Sequence, residues 1–234
     1  MTRVLSVLLC AGLLACDQPV SRADFDQLSN RVAALEAAAD AAPMTEAEAA
    51  ELYETLSAAV AEGRYDEARA MAEADAARAS QTQAGRSIAR LLSELDVVGR
   101  DAPALEVEKW YSGQTDFTQG EATLVVFWEV WCPHCRREVP ALQKTWEAWG
   151  DKGLNMVALT RVTRSATEDQ VSDFIEEQGL TYPVAKMGDD RLSQQFGVEG
   201  IPAAAVVSGG KVVWRGHPGR ITDAMIERWV NPST

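Results

Sequence analysis

The distribution of apolar residues divides residues 96–234 into short extended runs and amphipathic helical stretches. Runs rich in β-branched and aromatic residues predict strands near 105–109, 123–129, 154–160, 182–186, 203–207 and 211–215. Helical spacing of apolar positions predicts helices near 133–149, 167–178, 189–196 and 221–230. This alternation predicts an α/β fold in which a central mixed sheet is flanked by helices.

Residues 44–95 are rich in alanine and glutamate, and their apolar residues recur with helical spacing. This pattern predicts an α-helical N-terminal region. Its apolar stripe consists of Leu52, Leu56, Val60, Ala68, Met71, Ile88, Leu91, Leu92 and Leu95. Residues 61–68 resemble the turn between the two helices of a tetratricopeptide repeat, but only one copy is visible. We therefore expect a helical spacer or a small bundle packed on the following domain, and a peptide-binding groove is the alternative.

Residues 16–43 contain a short heptad pattern. Apolar residues between Val20 and Ala42 are spaced alternately three and four residues apart, as at the a and d positions of a coiled coil. Residues 31–36 match a pattern of arginine, two apolar positions and glutamate that is associated with parallel trimers. A coiled-coil stalk and a homotrimer are one interpretation, and a lone amphipathic helix packed on its own chain is the other.

The first 15 residues combine a charged start with an apolar run, Val4 to Ala15, that is shorter than the roughly 20 residues a membrane span requires. We interpret 1–15 as a signal peptide. Leu13-Leu14-Ala15-Cys16 resembles the lipobox of bacterial lipoproteins, which predicts lipidation of Cys16, a lipid-anchored linker at 16–43 and attachment to the membrane. Ordinary signal cleavage nearby is the alternative. Asp17 resembles an inner-membrane retention signal, so we expect the periplasmic side of the inner membrane.

Charge excludes one class of partner. The formal net charge is -13 and the sequence pI is about 4.6, which argues against nucleic-acid binding. Lysine and arginine form no block that would suggest a basic membrane-binding patch.

Candidate chemistry lies where the strand predicted near 123–129 meets the helix predicted near 133–149, in Cys132-Pro133-His134-Cys135. Cysteines at i and i+3 lie one helical turn apart, close enough to form a disulfide. Only the first lies where unpaired N–H groups and the helix dipole stabilise a thiolate, so Cys132 is the predicted nucleophile and Cys135 the resolving thiol. Pro133 suits the first helical position, and His134, when protonated, adds positive charge beside the thiolate.

Two other uses of this cysteine pair are a zinc site and a structural disulfide. Zinc would need two further ligands, and the remaining candidates are Cys10, Cys16 and His217, of which both cysteines belong to the leader and its anchor. A structural Cys132–Cys135 disulfide would close too short a loop to stabilise the fold much. We therefore expect a redox-active disulfide, with neither a metal nor an organic cofactor.

Three separated motifs resemble the thioredoxin superfamily, and within it the TlpA/ResA-like extracytoplasmic thiol-disulfide oxidoreductases. These are Phe127-Trp128-x-x-Trp131-Cys132-x-x-Cys135 with Glu138 and Pro140, the loop Gly197-Val198-Glu199-Gly200-Ile201-Pro202, and Val98-Gly99-Arg100-Asp101-Ala102-Pro103 upstream. The resemblance covers about residues 97–231. It implies a thioredoxin-like domain at 96–234 that acts on protein thiols and disulfides. It also implies that Pro202 is a cis-proline beside Cys132, with Ile201 contacting the substrate chain.

The chain departs from thioredoxins six residues before the first cysteine, where Val126 stands in place of a buried acid. Glu129 is a candidate proton acceptor in its place, or a solvated acid without a role. Trp131 is expected to shield the disulfide and shape the substrate surface, whereas Trp128 is expected in the core. His217 is expected on the surface without a catalytic role.

The direction of electron flow is left open by the sequence. TlpA-like proteins are mostly reductants, which favours a reductase that works with a membrane electron donor or acceptor. Pro133-His134, however, is the dipeptide of the DsbA-like oxidases, and a trimer would make disulfide isomerisation a third possibility. The non-enzymatic alternative is a tethered module that binds a client protein through residues 44–95.

Overall fold

The computed structural model describes residues 42–231 and five residues of the preceding segment, Arg22, Phe25, Asp26, Leu28 and Ser29. Contacts divide the chain into one unit at 1–41 and another at 42–234. The predicted signal peptide at 1–15, Cys16 and most of the predicted stalk at 16–43 lie outside the described residues. The five described residues are helical and exposed, and the coiled coil and the homotrimer stay predictions. Within the described part, no helix is both long and apolar enough to span a membrane.

Residues 44–95 form three helices: α1 (Glu46–Ala61), α2 (Tyr65–Ala79) and α3 (Gln83–Leu95). Thr45 caps α1 in a capping box with Glu48, and Thr82 caps α3, so polar side chains fix where both helices begin. The predicted apolar stripe faces inward, with Leu56 and Ile88 fully buried. The three helices pack on one another as a bundle, here called the helical bundle.

The remaining residues form a six-stranded mixed sheet with helices, as the sequence predicts. The strands are β1 (Lys109–Ser112), β2 (Ala122–Trp128), β3 (Leu154–Thr160), β4 (Val184–Lys186), β5 (Ala203–Ser208) and β6 (Lys211–Gly216), in the order β1-β4-β3-β2-β5-β6. Strands β2, β3 and β4 are parallel, and the pairs β1–β4, β2–β5 and β5–β6 are antiparallel. The helices of this part are α4 (Pro133–Trp149), α5 (Glu168–Glu177), α6 (Arg191–Gln195) and α7 (Asp223–Val230).

Strand β2 lies at the centre of the sheet, and all seven of its residues are buried. Leu124 and Trp128 belong to the apolar cluster that also contains the helical bundle, while Val125 and Phe127 belong to a second cluster on the other side. Burial on both faces explains why the strand reads as a continuous apolar run. Trp128 is in the core, as expected, with 1% of its surface exposed.

The first strand is shifted from its predicted position. The pattern near 105–109 predicts a strand there, but β1 spans Lys109–Ser112 and pairs with β4. Leu105 and Val107 do pack against the second apolar cluster, which produces the strand-like alternation. A tight turn, in which the N–H of Glu106 donates to the carbonyl of Ala104, interrupts the extended backbone before pairing begins.

The helical bundle packs directly on the sheet domain. Its buried side chains belong to the same apolar cluster as β2, and α3 contacts β6. Polar contacts reinforce this packing: Glu94 forms an ion pair with Arg220, and Arg228 donates to the carbonyl of Ala61. Residues 44–95 are thus a bundle packed on the sheet domain, and the binding of a client protein by these residues stays a prediction.

We expect Ile88→Ala, in α3, to lower the free energy of unfolding by about 2 to 5 kcal/mol, because it leaves a cavity in a core shared by the bundle and the sheet. Tryptophan fluorescence during urea unfolding checks this, since all seven tryptophans lie between residues 110 and 229, outside the bundle. Arg86→Ala changes an exposed residue of the same helix and is the matched control. If Ile88→Ala left the urea midpoint of the tryptophan fluorescence transition unchanged, the bundle would unfold independently of the sheet domain.

Candidate active site

The two cysteines lie where β2 ends and α4 begins. Cys132 is the N-cap residue of α4, and its Sγ accepts a hydrogen bond from the backbone N–H of Cys135 at 3.3 Å. Pro133 is the first helical residue, a position whose N–H has no partner within the helix, so the missing N–H of proline costs no hydrogen bond. The predicted spacing therefore places the Cys132 sulfur at the N-terminal end of α4, in contact with the backbone N–H of Cys135.

Both cysteines are free thiols, but they differ in environment. Cys132 is 4% exposed and Cys135 is fully buried. Burial, and then the hydrogen bond with Cys132, raises the pKa of the Cys135 thiol well above its ordinary value, and the negative charge of Glu129 raises it further. Cys135 therefore keeps its proton at neutral pH, as a resolving thiol does before the first exchange step.

The loop before β5 lies beside the nucleophile. The Ile201–Pro202 peptide bond is cis, and the Cys132 Sγ is 3.8 Å from the carbonyl oxygen of Ile201. Pro202 is buried and Ile201 is half-buried. The structure thus brings the cysteine pair Cys132 and Cys135 together with Ile201 and Pro202, although 69 residues separate Cys132 from Ile201.

A buried arginine, which the sequence reading did not single out, fixes this loop. Arg215 of β6 donates to four backbone carbonyls, those of Phe196 at 2.9 Å, Gly216 at 3.0 Å, Gly197 at 3.2 Å and Ala204 at 3.3 Å. Burial lowers the pKa of the Arg215 guanidinium from its usual range. Gly197 has a φ of 62°, a conformation that side-chain-bearing residues rarely adopt, so a glycine is needed where the loop turns toward Arg215.

Trp131 is held in place on both its edge and its face. Its indole N–H donates to the Glu129 carboxylate at 2.5 Å and to the Thr163 hydroxyl at 3.1 Å, and the Thr163 hydroxyl also donates to Glu129. The guanidinium of Arg164 lies over the Trp131 ring, 3.7 Å from its centre. Glu129 is half-buried, one of its carboxylate oxygens accepts the hydrogen bonds from both Trp131 and Thr163, and its role as proton acceptor stays a prediction.

Thr163 and Arg164 were missed in the sequence, although a signal for them was present. They follow β3, which is parallel to β2, so the loops after both strands lie at the same edge of the sheet. Arg164 has a φ of 59°, which costs a non-glycine residue about 1 kcal/mol. That backbone conformation accompanies the stacking of its guanidinium on Trp131.

Comparison with known proteins now identifies the family. Residues 98–215 match the AhpC/TSA family. The chain belongs to this family. The resemblance to TlpA/ResA-like proteins and the thioredoxin-like fold, which the sequence predicts, are confirmed by this match and by the relatives.

Two relatives in this family carry informative names. Sporulation thiol-disulfide oxidoreductase A of Bacillus subtilis is 24% identical over 111 residues, which cover 47% of this chain and 67% of that protein. Thiol-disulfide oxidoreductase ResA of Halalkalibacterium halodurans is 23% identical over 112 residues, which cover 48% of this chain and 62% of that protein. The matches therefore span about two thirds of these relatives. Their names confirm the predicted enzyme class.

A solved structure is also similar. The thioredoxin domain of a thiol-disulfide oxidoreductase from Bacteroides vulgatus has a TM-score of 0.48 and 24% sequence identity, over 58% of this chain and 98% of that one.

The two histidines of this AhpC/TSA family member differ in their surroundings. His134 is exposed, and its Nδ1 lies 3.4 Å from Nη2 of Arg137, which forms an ion pair with Glu138. His217 is half-buried, and its Nδ1 accepts a hydrogen bond from the N–H of Gly219 at 3.0 Å. Burial lowers the pKa of His217 below its ordinary value. Both histidines line one groove, so His217 lies at the surface within that groove, and its expected lack of a catalytic role stays a prediction.

Among the described residues, no group of three or more histidine, cysteine, aspartate or glutamate side chains is placed to bind a metal ion.

We expect iodoacetamide at neutral pH to alkylate Cys132 at least about tenfold faster than Cys135, because the latter is fully buried and its pKa is raised. Peptide mapping by mass spectrometry after limited reaction checks this. In Cys132→Ser, the labelling of Cys135 should stay slow and rise with pH above the range in which an ordinary thiol titrates. Equal labelling of the two thiols in the unmodified sequence would contradict the assigned roles.

Proposed function

We propose that the chain is a thiol-disulfide oxidoreductase of the cell envelope that acts on protein substrates by exchange at Cys132 and Cys135. The observation that carries the proposal is the pairing of a helix-capping sulfur at Cys132 with a fully buried thiol at Cys135. The names of the relatives support the enzyme class. The envelope location rests on the signal peptide expected at 1–15 and the lipid anchor expected at Cys16.

The catalytic cycle follows from the difference between the two thiols. The Cys132 thiolate attacks a sulfur of the substrate disulfide, the S–S bond breaks, and the other substrate sulfur leaves as a thiolate that takes up a proton. Cys135 then loses its proton and attacks the Cys132 sulfur of the mixed disulfide. The substrate leaves with two thiols, and the enzyme keeps the Cys132–Cys135 disulfide. Two electrons pass to the substrate, and a membrane electron donor with a dithiol restores the enzyme.

The side chains around the sulfur shape the approach of the substrate. Trp131, fixed by Glu129 and Arg164, directly precedes Cys132 in the chain, and the Ile201 carbonyl lies 3.8 Å from the Cys132 sulfur. A substrate chain that runs between them presents its disulfide to Cys132 without requiring Cys135 to be exposed. Trp131 and Ile201 are the proposed substrate contacts, and His134 and Pro133 form the exposed turn of the helix between the thiols.

We expect the Cys132–Cys135 pair to behave as a reductant, with an equilibrium reduction potential near the thioredoxin value of about -270 mV. Equilibration with glutathione buffers, followed by thiol trapping and mass spectrometry, measures it, and Cys132→Ser provides the blank. A potential near the DsbA value of about -120 mV would instead make the protein an oxidase or an isomerase. Absence of any exchange with glutathione would overturn the proposed function.

We expect Glu129→Gln to slow the resolving attack of Cys135 at least about tenfold without unfolding the protein, if Glu129 takes up the Cys135 proton. Glutamine keeps an oxygen that can accept the hydrogen bonds of Trp131 and Thr163, but it cannot act as a base. Single-turnover release of product from the mixed disulfide measures this step. An unchanged rate in Glu129→Gln together with a slow rate in Glu129→Ala would assign Glu129 to holding Trp131 only.

A further inference from the structure

A groove of about 730 Å³ runs between the helical bundle and the active-site loops. Tyr53 of α1 and the face of α3 that includes Ser87 and Arg90 form one wall. His134 and Pro202 lie on the other wall, so one end of the groove opens beside Cys132. The bundle therefore contributes directly to the surface that a substrate meets next to the nucleophile.

The charges of this groove are not balanced. Glu94 is neutralised by its ion pair with Arg220, and Glu199 accepts a hydrogen bond from Ser93 at 3.3 Å. Arg215 adds a buried positive charge whose donors all go to backbone carbonyls. Three arginines and two glutamates line the groove, which gives it a surplus of positive charge in a chain whose net charge is -13.

The bundle wall also presents unused hydrogen-bond donors. Arg90 is exposed, and Tyr53 and Ser87 are half-buried. Within residues 42–231, none of these three side chains has a hydrogen-bond or ion-pair partner. A guanidinium and two hydroxyls that face one groove match the acceptors of a carboxylate.

A second groove, lined by Trp131 and Phe174 among others, is less suited to an acidic chain. Its arginine, Arg136, is already engaged, because it donates to the carbonyl of Val130 and its guanidinium lies over the ring of Phe174. Asp173 and Glu177 line that groove and add negative charge. Charge complementarity therefore favours the groove beside the helical bundle.

We propose that this groove binds an extended, acidic segment of the substrate protein that flanks the substrate's reactive cysteine. The inference rests on the proposed function and names its substrate class. A carboxylate of the substrate is held by Arg90, with Tyr53 and Ser87 as further donors, while the neighbouring backbone passes Ile201 and brings the cysteine sulfur to Cys132. The helical bundle is then part of the substrate-binding site, and its groove selects among clients by charge.

Short peptides with a single cysteine test the proposal. Each peptide carries its cysteine as a disulfide with thionitrobenzoate, so that attack by Cys132 forms the mixed disulfide and releases the coloured thiolate. One series places glutamate within four residues of the cysteine, and a matched series places lysine there. Every rate is divided by the rate of the same protein variant with a small neutral disulfide, which removes any change in the intrinsic reactivity of Cys132.

We expect the full-length protein to prefer the glutamate series by about fivefold at low salt and less at high salt. Arg90→Glu should reverse the preference toward the lysine series by a similar factor. Arg86→Glu is the matched control, because Arg86 is exposed on the same helix one turn earlier and does not line the groove. It should keep the preference of the unmodified sequence.

Three outcomes would overturn the proposal. Equal rates for the glutamate and lysine series would show that the groove does not select substrates by charge. The same would follow if Arg86→Glu and Arg90→Glu changed the preference equally. If the rate per active site fell as protein concentration rose, the chain would be associating with itself. A second copy of the chain, rather than an acidic substrate segment, would then occupy the groove. Failure of the unmodified protein with the small disulfide as well would overturn the proposed function itself, so the two failures are distinguishable.

Discussion

The burial of β2 on both faces is the constraint on which the rest of this structure depends. A strand with no exposed residue cannot move along the sheet without exposing apolar surface, so its register with β3 and β5 is strongly fixed. The short segment that follows the strand and ends at Cys132, four residues after Trp128, starts from this fixed point. Cys132 therefore caps α4 at a position determined by the core rather than by the surface loops.

The other parts of the site are arranged around that fixed point. The loop after β3 provides the hydroxyl and guanidinium that hold Trp131, and the loop before β5 provides the carbonyl beside the sulfur. Both loops come from neighbours of β2 in the sheet, which explains why residues separated by up to 70 positions meet at one edge. The helical bundle shares the apolar cluster beneath them and adds one wall of a groove that opens at the same edge.

Much of this could be predicted from the sequence, because local patterns carry it. The β2 run, the cysteine spacing and the helix at 133–149 all depend on neighbouring residues, and each appears where the sequence predicts it. The misses depend on tertiary contacts. The strand predicted near 105–109 is an irregular segment with strand-like burial, and only pairing with β4 shows where β1 begins. Arg215 binds partners remote in sequence, so periodicity contains no sign of it. Thr163 also contacts a residue remote in sequence, and only its position after a strand parallel to β2 points to it.

Arg215 has a consequence for the conformational entropy of substrate binding. To shift the loop before β5, the protein must release hydrogen bonds from a buried, charged donor, and such bonds contribute about 1.5 to 3 kcal/mol each. The loop is thus preorganised, and the ordering cost of docking falls on the incoming polypeptide. A cysteine embedded in a rigid helix cannot adapt to this template. A flexible segment can, so in the proposed function access to Cys132 depends on whether the client's cysteine lies in an unstructured stretch of chain.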